Sequence, residues 1–146
     1  MAVKGWLLDK SAAVRADERI VGPQLDELAG KLCLCPTALL EQLFSTRSAR
    51  EYDETEAALR AGLVIVDAPT DILRRALTLQ RDLAHHHGLW HRVPIPDLLI
   101  AETALHHDLG VVHVDGDFDR ISEVRPLIAR RLASVLTGVV GPPLGR

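Results

Sequence analysis

The sequence is poor in cysteine and in aromatic residues. Its 146 residues include two cysteines, and aromatic residues make up 3 % of the chain. The cysteines, Cys33 and Cys35, alternate with leucine in LCLC, so on a strand their side chains point to opposite faces, which argues against a disulfide between them. A structural zinc site would require further thiolate or imidazole ligands at a suitable spacing. We therefore expect both to be small buried side chains, neither joined in a disulfide nor bound to zinc.

Long apolar runs and a strong charge of one sign are also missing. No apolar run approaches the roughly 20 residues of a membrane-spanning helix, and the first residues contain no long apolar signal segment. We expect a cytoplasmic protein with no membrane partner. The formal net charge of -3 supplies no overall positive field, so any binding of nucleic acid would depend on a local group of arginines.

The sequence does contain enough apolar residues for one folded domain. Hydrophobic residues make up 47 % and charged residues 25 % of the chain, which is ordinary for a globular protein. The length suits one domain with a substantial core. The last residues, GVVGPPLGR, resemble a frayed end. We predict a domain over residues 1–134 and a flexible C-terminal tail over 135–146.

Short apolar runs alternate with helical patterns, which is typical of the α/β class. A parallel sheet with helices on both faces is the expected architecture. The helical pattern extends to the last predicted helix, whose sequence is rich in arginine. The predicted strands are 3–8, 32–35, 63–66 and 111–114, and the predicted helices begin near Ser11 and cover 22–31, 36–44, 51–61, 71–87, 97–109 and 120–134.

Two of the predicted strands are followed by acids that are candidates for a functional site. The sequence VVHVDGDFDRI at 111–121 passes from an apolar run into Asp115, Asp117 and Asp119, and Asp9 follows the first strand. Ligand sites in parallel sheets form beyond the carboxyl ends of the strands. A turn in which aspartate accepts backbone hydrogen bonds remains an alternative interpretation of the second stretch.

Three further acids lie on predicted helices. Asp97 falls in the first turn of a helix and shares a face with Ala101 and Ala104, so it points inward, although a capping role is an equal alternative. Glu41 lies opposite the middle of an apolar stripe formed by Leu39, Leu40, Leu43 and Phe44, so it faces either solvent or a polar cleft. Glu102 points away from Asp97, and we expect it to be solvated.

A convergence of these acids predicts a metal-dependent reaction. Carboxylates held close together repel one another, so such a cluster is tolerable mainly when cations occupy it. Ligand sets made only of oxygen atoms favour Mg²⁺ or Mn²⁺ over zinc. Such ions can activate water and neutralise the phosphate in the cleavage of a phosphodiester bond.

Four segments together resemble a known family. They are LLDKSAAVR at 7–15, the glutamate within TALLEQLFS, IPDLLIAETA at 95–104 and VVHVDGDFDRI at 111–121. These residues are similar to those of the PIN-domain ribonucleases, specifically the VapC toxins of type II VapBC toxin–antitoxin pairs. The resemblance implies a PIN-like three-layer α/β/α sandwich with a central, mainly parallel sheet.

The resemblance also assigns residues and a cofactor. It implies a catalytic quartet of Asp9, Glu41, Asp97 and Asp115, which for Glu41 favours the polar cleft over solvent. Asp117 takes the place of a frequent fifth acid, so the implied ligands of Mg²⁺, or of Mn²⁺, are Asp9, Asp97, Asp115 and Asp117. Ser11 matches the small polar residue that supports the metal or the first acid. Asp119, which follows the phenylalanine of the motif, is a weaker candidate ligand than the other acids.

The function implied is that of an endoribonuclease toxin that cleaves RNA through a metal-activated water. The expected partners are a cognate VapB-type antitoxin, RNA and a second copy of the chain in a homodimer. Candidate RNA contacts are Arg15, Trp90 and Arg92. The histidine-rich segment 85–91 is not a hallmark of the family, and the last sheet strand of the family is hard to find in EVRPLIARRLASV.

Two alternative functions remain at this stage. One is a catalytically silent PIN-like module that binds protein. The other is a HAD-like phosphohydrolase, suggested by DGD after a strand. That class uses an early DxD motif, however, whereas here Asp9 is followed by Lys10 and Ser11.

Overall fold

A computed structural model describes residues 3–87 and 89–134 of the chain. The predicted tail, 135–146, lies outside the described residues. Within the described part, no helix is both long and apolar enough to cross a lipid bilayer.

The fold is a central sheet of five strands with helices packed around it. The strands are β1 (Trp6–Leu8), β2 (Leu32–Leu34), β3 (Val64–Ile65), β4 (Gly110–His113) and β5 (Ala129–Arg131). Their order across the sheet is β3-β2-β1-β4-β5, and every pairing is parallel. The predicted α/β class is confirmed. The helices are α1 (Lys10–Ala13), α2 (Val21–Asp26), α3 (Pro36–Phe44), α4 (Ala49–Gly62), α5 (Ile72–His87), α6 (Ile95–His106) and α7 (Asp117–Ile121), with a 3-10 turn at Leu89–Arg92.

The centre of the sheet is completely buried. Leu7 of β1 and Val111 and Val112 of β4 have no exposed surface. Strands covered on both faces consist of continuous apolar residues rather than alternating ones, because neither face meets water. Helix α6 packs inward through Ile100, Ala101 and Ala104, all fully buried. This packing fixes the start of α6 relative to the ends of β1 and β4.

The end of the described chain differs from the prediction of a helix over 120–134. Helix α7 ends at Ile121, and Ala129–Arg131 form strand β5 at the edge of the sheet. Ala129 pairs with Val111 of β4, and Arg131 pairs with His113. The strand that was hard to find in the sequence therefore lies within EVRPLIARRLASV. Its two arginines fit the basic helix that was predicted over 120–134. The pairing that makes the segment a strand involves residues 18 positions earlier in the chain.

Candidate active site

The ends of two neighbouring strands and the start of one helix meet at one edge of the sheet. Leu8 pairs with Val112, so β1 and β4 end side by side. Asp9 follows β1 directly, and its backbone amide donates to the Val112 carbonyl at 3.0 Å. Asp115 lies two residues beyond β4. Asp97 lies in the first turn of α6, as predicted, and the acids of distant segments are thereby brought together.

Three carboxylates form the centre of the site. Asp97, Asp115 and Asp117 each offer one carboxylate oxygen, and these oxygens lie within 4.8 Å of one another. Asp97 is buried, whereas the other two are half-buried. The backbone amide of Asp117 donates to Oδ1 of Asp115 at 3.2 Å, which fixes the turn around Gly116. We name Asp97, Asp115 and Asp117 the acidic cluster.

Asp9 lies beside the acidic cluster and is held by Ser11. It caps α1, where its carboxylate accepts a hydrogen bond of 3.0 Å from the Ser11 amide. Burial raises the pKa of Asp9, hydrogen bonds from Ser11 oppose this rise, and the charge of Asp115 adds to it. The Ser11 hydroxyl oxygen in turn accepts from the Val114 amide at 2.9 Å. Ser11 therefore connects the first acid with the chain that leads to Asp115.

Glu41 faces the same cleft from α3. Its side chain is half-buried, and the Oε1 atom is buried without a hydrogen-bond partner among the residues that the structure describes. Burial raises the pKa of Glu41, the neighbouring Asp9 raises it further, and Lys10 lowers it. These neighbours place Glu41 on the side of the acids, so the interpretation of a cleft-facing carboxylate fits and the solvated one does not.

Electrostatic strain is greatest at Asp97. Burial, followed by the charges of Asp9, Asp115, Asp117 and Glu41, raises the pKa of Asp97 to about 9. Its position at the start of α6 offsets only part of this cost, because a helix amino end stabilises a negative charge by roughly 1 kcal/mol. A bound cation would remove the repulsion, and a set of oxygen donors of this kind fits Mg²⁺ or Mn²⁺.

Two basic side chains that lie near the acids were not predicted from the sequence. Nη1 of Arg120 lies 3.8 Å from Oδ1 of Asp117, one turn earlier on α7. Lys10 acts electrostatically on Glu41. The three-residue spacing of Asp117 and Arg120 was a signal for the first. For Lys10, its place next to Asp9 was the only signal, and it did not show which acid the side chain meets.

The last acid of the motif, Asp119, lies outside the acidic cluster. Its side chain is 46 % exposed, with Oδ1 at 3.6 Å from Nε2 of His113 and Oδ2 at 3.6 Å from Nη1 of Arg131. Its neighbours are therefore basic rather than acidic. Asp119 is not placed to serve as a ligand alongside the other acids.

The three candidate RNA contacts occupy different surroundings. Arg15 is largely buried, where it donates to the Ser11 carbonyl and lies 3.9 Å from Glu18. The guanidinium of Arg120 lies over the ring of Trp90, 5.8 Å from its centroid, so Trp90 is near the acidic cluster. Arg92 is exposed at the end of the 3-10 turn. Their role in binding RNA stays a prediction.

Glu102 contradicts the prediction that it is solvated. It is 6 % exposed, and Nε of Arg125 lies 3.4 Å from its Oε2 atom. The helical spacing showed that it faces away from Asp97 but not that other parts of the chain cover that side. Cys35 is buried, as expected, whereas Cys33 is only partly buried, and both are free thiols.

Comparison with known proteins identifies the family. The PIN domain family matches residues 6–124, most of the chain, and the chain therefore belongs to the PIN domain family. Its relatives include ribonuclease VapC17 of Mycobacterium tuberculosis, which is 53 % identical over 121 residues that cover 83 % of this chain and 90 % of the relative. Ribonuclease VapC21 of the same organism is 38 % identical, covering 82 % and 87 %. The resemblance inferred from the sequence motifs is confirmed.

Solved structures have the same fold. VapBC2 from Rickettsia felis, bound to a DNA fragment from its promoter, has a TM-score of 0.67 at 18 % identity and covers 86 % of this chain and 97 % of that one. VapBC-5 from Mycobacterium tuberculosis has a TM-score of 0.62 at 20 % identity and covers 88 % and 98 %. These likenesses confirm the PIN-like α/β/α sandwich.

Proposed function

We propose that this protein is a metal-dependent endoribonuclease and acts as the toxin of a toxin–antitoxin pair. The observation that carries the proposal is the convergence of Asp97, Asp115 and Asp117 at the end of the sheet, beside a buried Asp9. The family and the ribonuclease names of the relatives supply the substrate class. No cysteine, serine or histidine nucleophile is needed for this chemistry.

A divalent cation, when bound, lowers the pKa of a water molecule and neutralises the charge of the phosphodiester. Asp97, Asp115 and Asp117 would hold such a cation, with Asp9 as a further ligand. Mg²⁺ is the expected ion, and Mn²⁺ shares its preference for oxygen ligands. The raised pKa of Asp97 supports this assignment, because the carboxylates are strained when no positive charge balances them.

The remaining residues of the site orient groups and accept a proton. Ser11 holds Asp9 through its amide and Val114 through its hydroxyl oxygen, so the two strand ends keep a fixed distance. The buried Oε1 atom of Glu41, which has no hydrogen-bond partner in the described part of the chain, can accept a proton from the attacking water. Arg120, half-exposed beside Asp117, is placed to contact a phosphate of the RNA backbone.

The proposed partners are a VapB-type antitoxin and a second copy of the chain. Support comes from the related structures, which are VapBC complexes. A further argument is the exposure of large apolar side chains in pairs one helical turn apart. On α3 these are Leu40 and Phe44, which are 66 % and 87 % exposed, and on α5 they are Leu73 and Leu77. Exposed apolar groups of this kind commonly mark contact surfaces.

Cleavage of RNA by the purified protein tests the proposal. Wild type should cut RNA with Mg²⁺ or Mn²⁺ and lose activity with a chelator, whereas Asp9→Asn and Asp97→Asn should lose most activity under all conditions. Equal cleavage by wild type and both variants would refute the acidic mechanism. If the protein binds an antitoxin tightly but cuts no RNA, the silent protein-binding module is the better account.

A further inference from the structure

His113 is a buried polar residue directly behind the acidic cluster and has no role in the mechanism above. It is the last residue of β4, and its side chain has no exposed surface. Its Nδ1 atom lies 2.5 Å from the backbone carbonyl oxygen of Asp115. A carbonyl oxygen only accepts hydrogen bonds, so Nδ1 bears a proton and donates it. The imidazole thus holds the backbone of a proposed metal ligand.

Neighbouring side chains also restrain the short loop that follows β4, residues 114–117. Nε of Arg131, on β5, donates to the carbonyl of Val114 at 3.1 Å. Nη1 of the same guanidinium lies 3.6 Å from Oδ2 of Asp119, and Oδ1 of Asp119 lies 3.6 Å from Nε2 of His113. Because two successive carbonyls, of Val114 and Asp115, each have a side-chain donor, the loop has little freedom to rotate its peptides.

The loop needs such restraint because it carries two of the three carboxylates of the acidic cluster. Its two acids lie close to Asp97, and mutual repulsion would drive the three carboxylates apart in the absence of a cation. A glycine, Gly116, stands between the two acids and adds backbone freedom. Groups that hold a metal ligand from behind typically preserve its geometry between the empty and loaded states.

We propose that His113 is a positioning residue for the acidic cluster, holding the Asp115 carbonyl through Nδ1 while Arg131 holds the neighbouring carbonyl of Val114. This inference rests on the proposed function, since it assigns His113 a role toward a cation bound by Asp97, Asp115 and Asp117. Simple packing does not account for the residue. An apolar side chain would fill the space beside Phe118 equally well without placing polar nitrogens in the interior. Of these nitrogens, Nε2 is buried and has no hydrogen-bond partner within residues 3–87 and 89–134.

Binding of Mn²⁺ to three variants tests the proposal. His113→Leu fills the space but removes the donor, whereas the amide nitrogen of His113→Asn can occupy the position of Nδ1. Thr103→Val is the matched control, because it removes a hydrogen bond of another fully buried residue, from the Thr103 hydroxyl to the Leu99 carbonyl, away from the acidic loop. Electron paramagnetic resonance measures free Mn²⁺ directly. His113→Leu should weaken binding by about 10- to 100-fold, and His113→Asn should recover part of this loss.

Two further readouts separate positioning from general damage. RNA cleavage by His113→Leu should be restored at saturating Mn²⁺, because a higher Mn²⁺ concentration compensates for the lost affinity. A higher Mn²⁺ concentration would not restore a misfolded protein. In wild type, nitrogen-15 NMR of the histidine rings should show the proton of His113 on Nδ1. This measurement needs no variant, so it remains decisive if His113→Leu fails to fold.

The outcomes distinguish this inference from the function on which it rests. Mn²⁺ affinity of His113→Leu equal to that of wild type, or a ring with Nδ1 unprotonated, would refute the positioning role and leave the proposed function intact. An equal loss of affinity in Thr103→Val would also refute it. If wild type itself binds no Mn²⁺, the metal site of the proposed function is wrong, and the role of His113 toward it falls as well.

Discussion

Three structural features affect the ionisation of Asp97, one favouring the charged form and two opposing it. It lies at the positive end of α6, it is 6 % exposed, and it faces other carboxylates. Burial and repulsion outweigh the helix, because a pKa of about 9 means that the neutral form is favoured at neutral pH when no cation is present. The same residue that would bind the cation is therefore a source of instability without it.

The pH dependence of stability follows from this shift. The unfolded chain releases the Asp97 proton near its ordinary pKa of 3.8, whereas the folded protein keeps it to about pH 9. Folding then takes up a proton between these values, so the stability of the metal-free protein falls as pH rises through this window. Asp97→Asn removes the titration, and it should stabilise the metal-free protein at pH 8 by on the order of 2–4 kcal/mol.

Urea denaturation with a chelator at pH 5, 7 and 9 measures this effect. The difference between Asp97→Asn and wild type should grow with pH. The exposed Asp53, replaced by Asn, is the control, and its substitution should leave the profile unchanged. A variant that is less stable than wild type at every pH would show that Asp97 makes a favourable contact that outweighs its charge cost.

Residues of the site were predictable to different extents. Asp9, Asp97 and Asp115 follow from local rules, since two come after strands and one begins a helix that packs inward. Glu41 required the family resemblance, because its position on α3, opposite the apolar stripe, by itself favoured solvent. Glu102 was predicted wrongly, since its burial depends on the distant Arg125, and no local pattern in α6 reveals that contact.

At the scale of elements, Arg125 connects two helices. Its guanidinium lies 2.8 Å from Asp82 on α5 and 3.4 Å from the buried Glu102 on α6. Arg125→Met would leave Glu102 buried without its charge partner, and we expect a loss of about 3 kcal/mol in the free energy of unfolding. Adding Glu102→Gln should recover much of this loss, because the unpaired charge is then gone.

Chemical denaturation of the single and double variants measures this coupling. Arg50→Met is the control, since Arg50 pairs with Glu54 on the surface of α4, where such a pair contributes little. Additive effects of the Arg125 and Glu102 substitutions would show that the two residues do not interact energetically.

Helix α3 has an exposed apolar side whose loss should affect association but not folding. Replacing both Leu40 and Phe44 by Ser removes side chains that are mostly in water, so the free energy of unfolding should change little. Self-association or antitoxin binding should weaken, as measured by sedimentation velocity and titration. Leu43→Ala, on the buried side of the same helix, should instead destabilise the fold by about 2–5 kcal/mol. Unchanged association in the double variant would exclude this surface as an interface.

Most elements were predictable because their apolar patterns are local. Helices α3 to α6 and strands β1 to β4 appear close to where periodicity and proline indicate them. Strand β5 was not predictable, since its three residues, two of them arginines, satisfy a helical pattern equally well. Only the pairing with β4 identifies the strand. The apolar stripe of α3 was predicted, but not that half of it is exposed.

For the whole molecule, cation binding should act as a stabilising ligand. A ligand at about 100 times its Kd stabilises the folded state by roughly 2.7 kcal/mol, and for a chain of this size that corresponds to a rise in Tm of about 5–10 °C. Calorimetry with Mn²⁺, against NaCl of equal ionic strength, measures the rise. It should be much smaller in Asp97→Asn. An equal rise in both proteins would place the bound ion elsewhere.

In the proposed reaction, water activated at the acidic cluster cuts the RNA chain. The most direct test is the chemical nature of the ends formed when purified protein cleaves RNA in the presence of Mg²⁺ or Mn²⁺. Attack by water with departure of the 3′ oxygen predicts a 5′-phosphate and a 3′-hydroxyl, formed only with the divalent ion and not by Asp97→Asn. A 2′,3′-cyclic phosphate, or the same ends formed with a chelator present, would contradict the account.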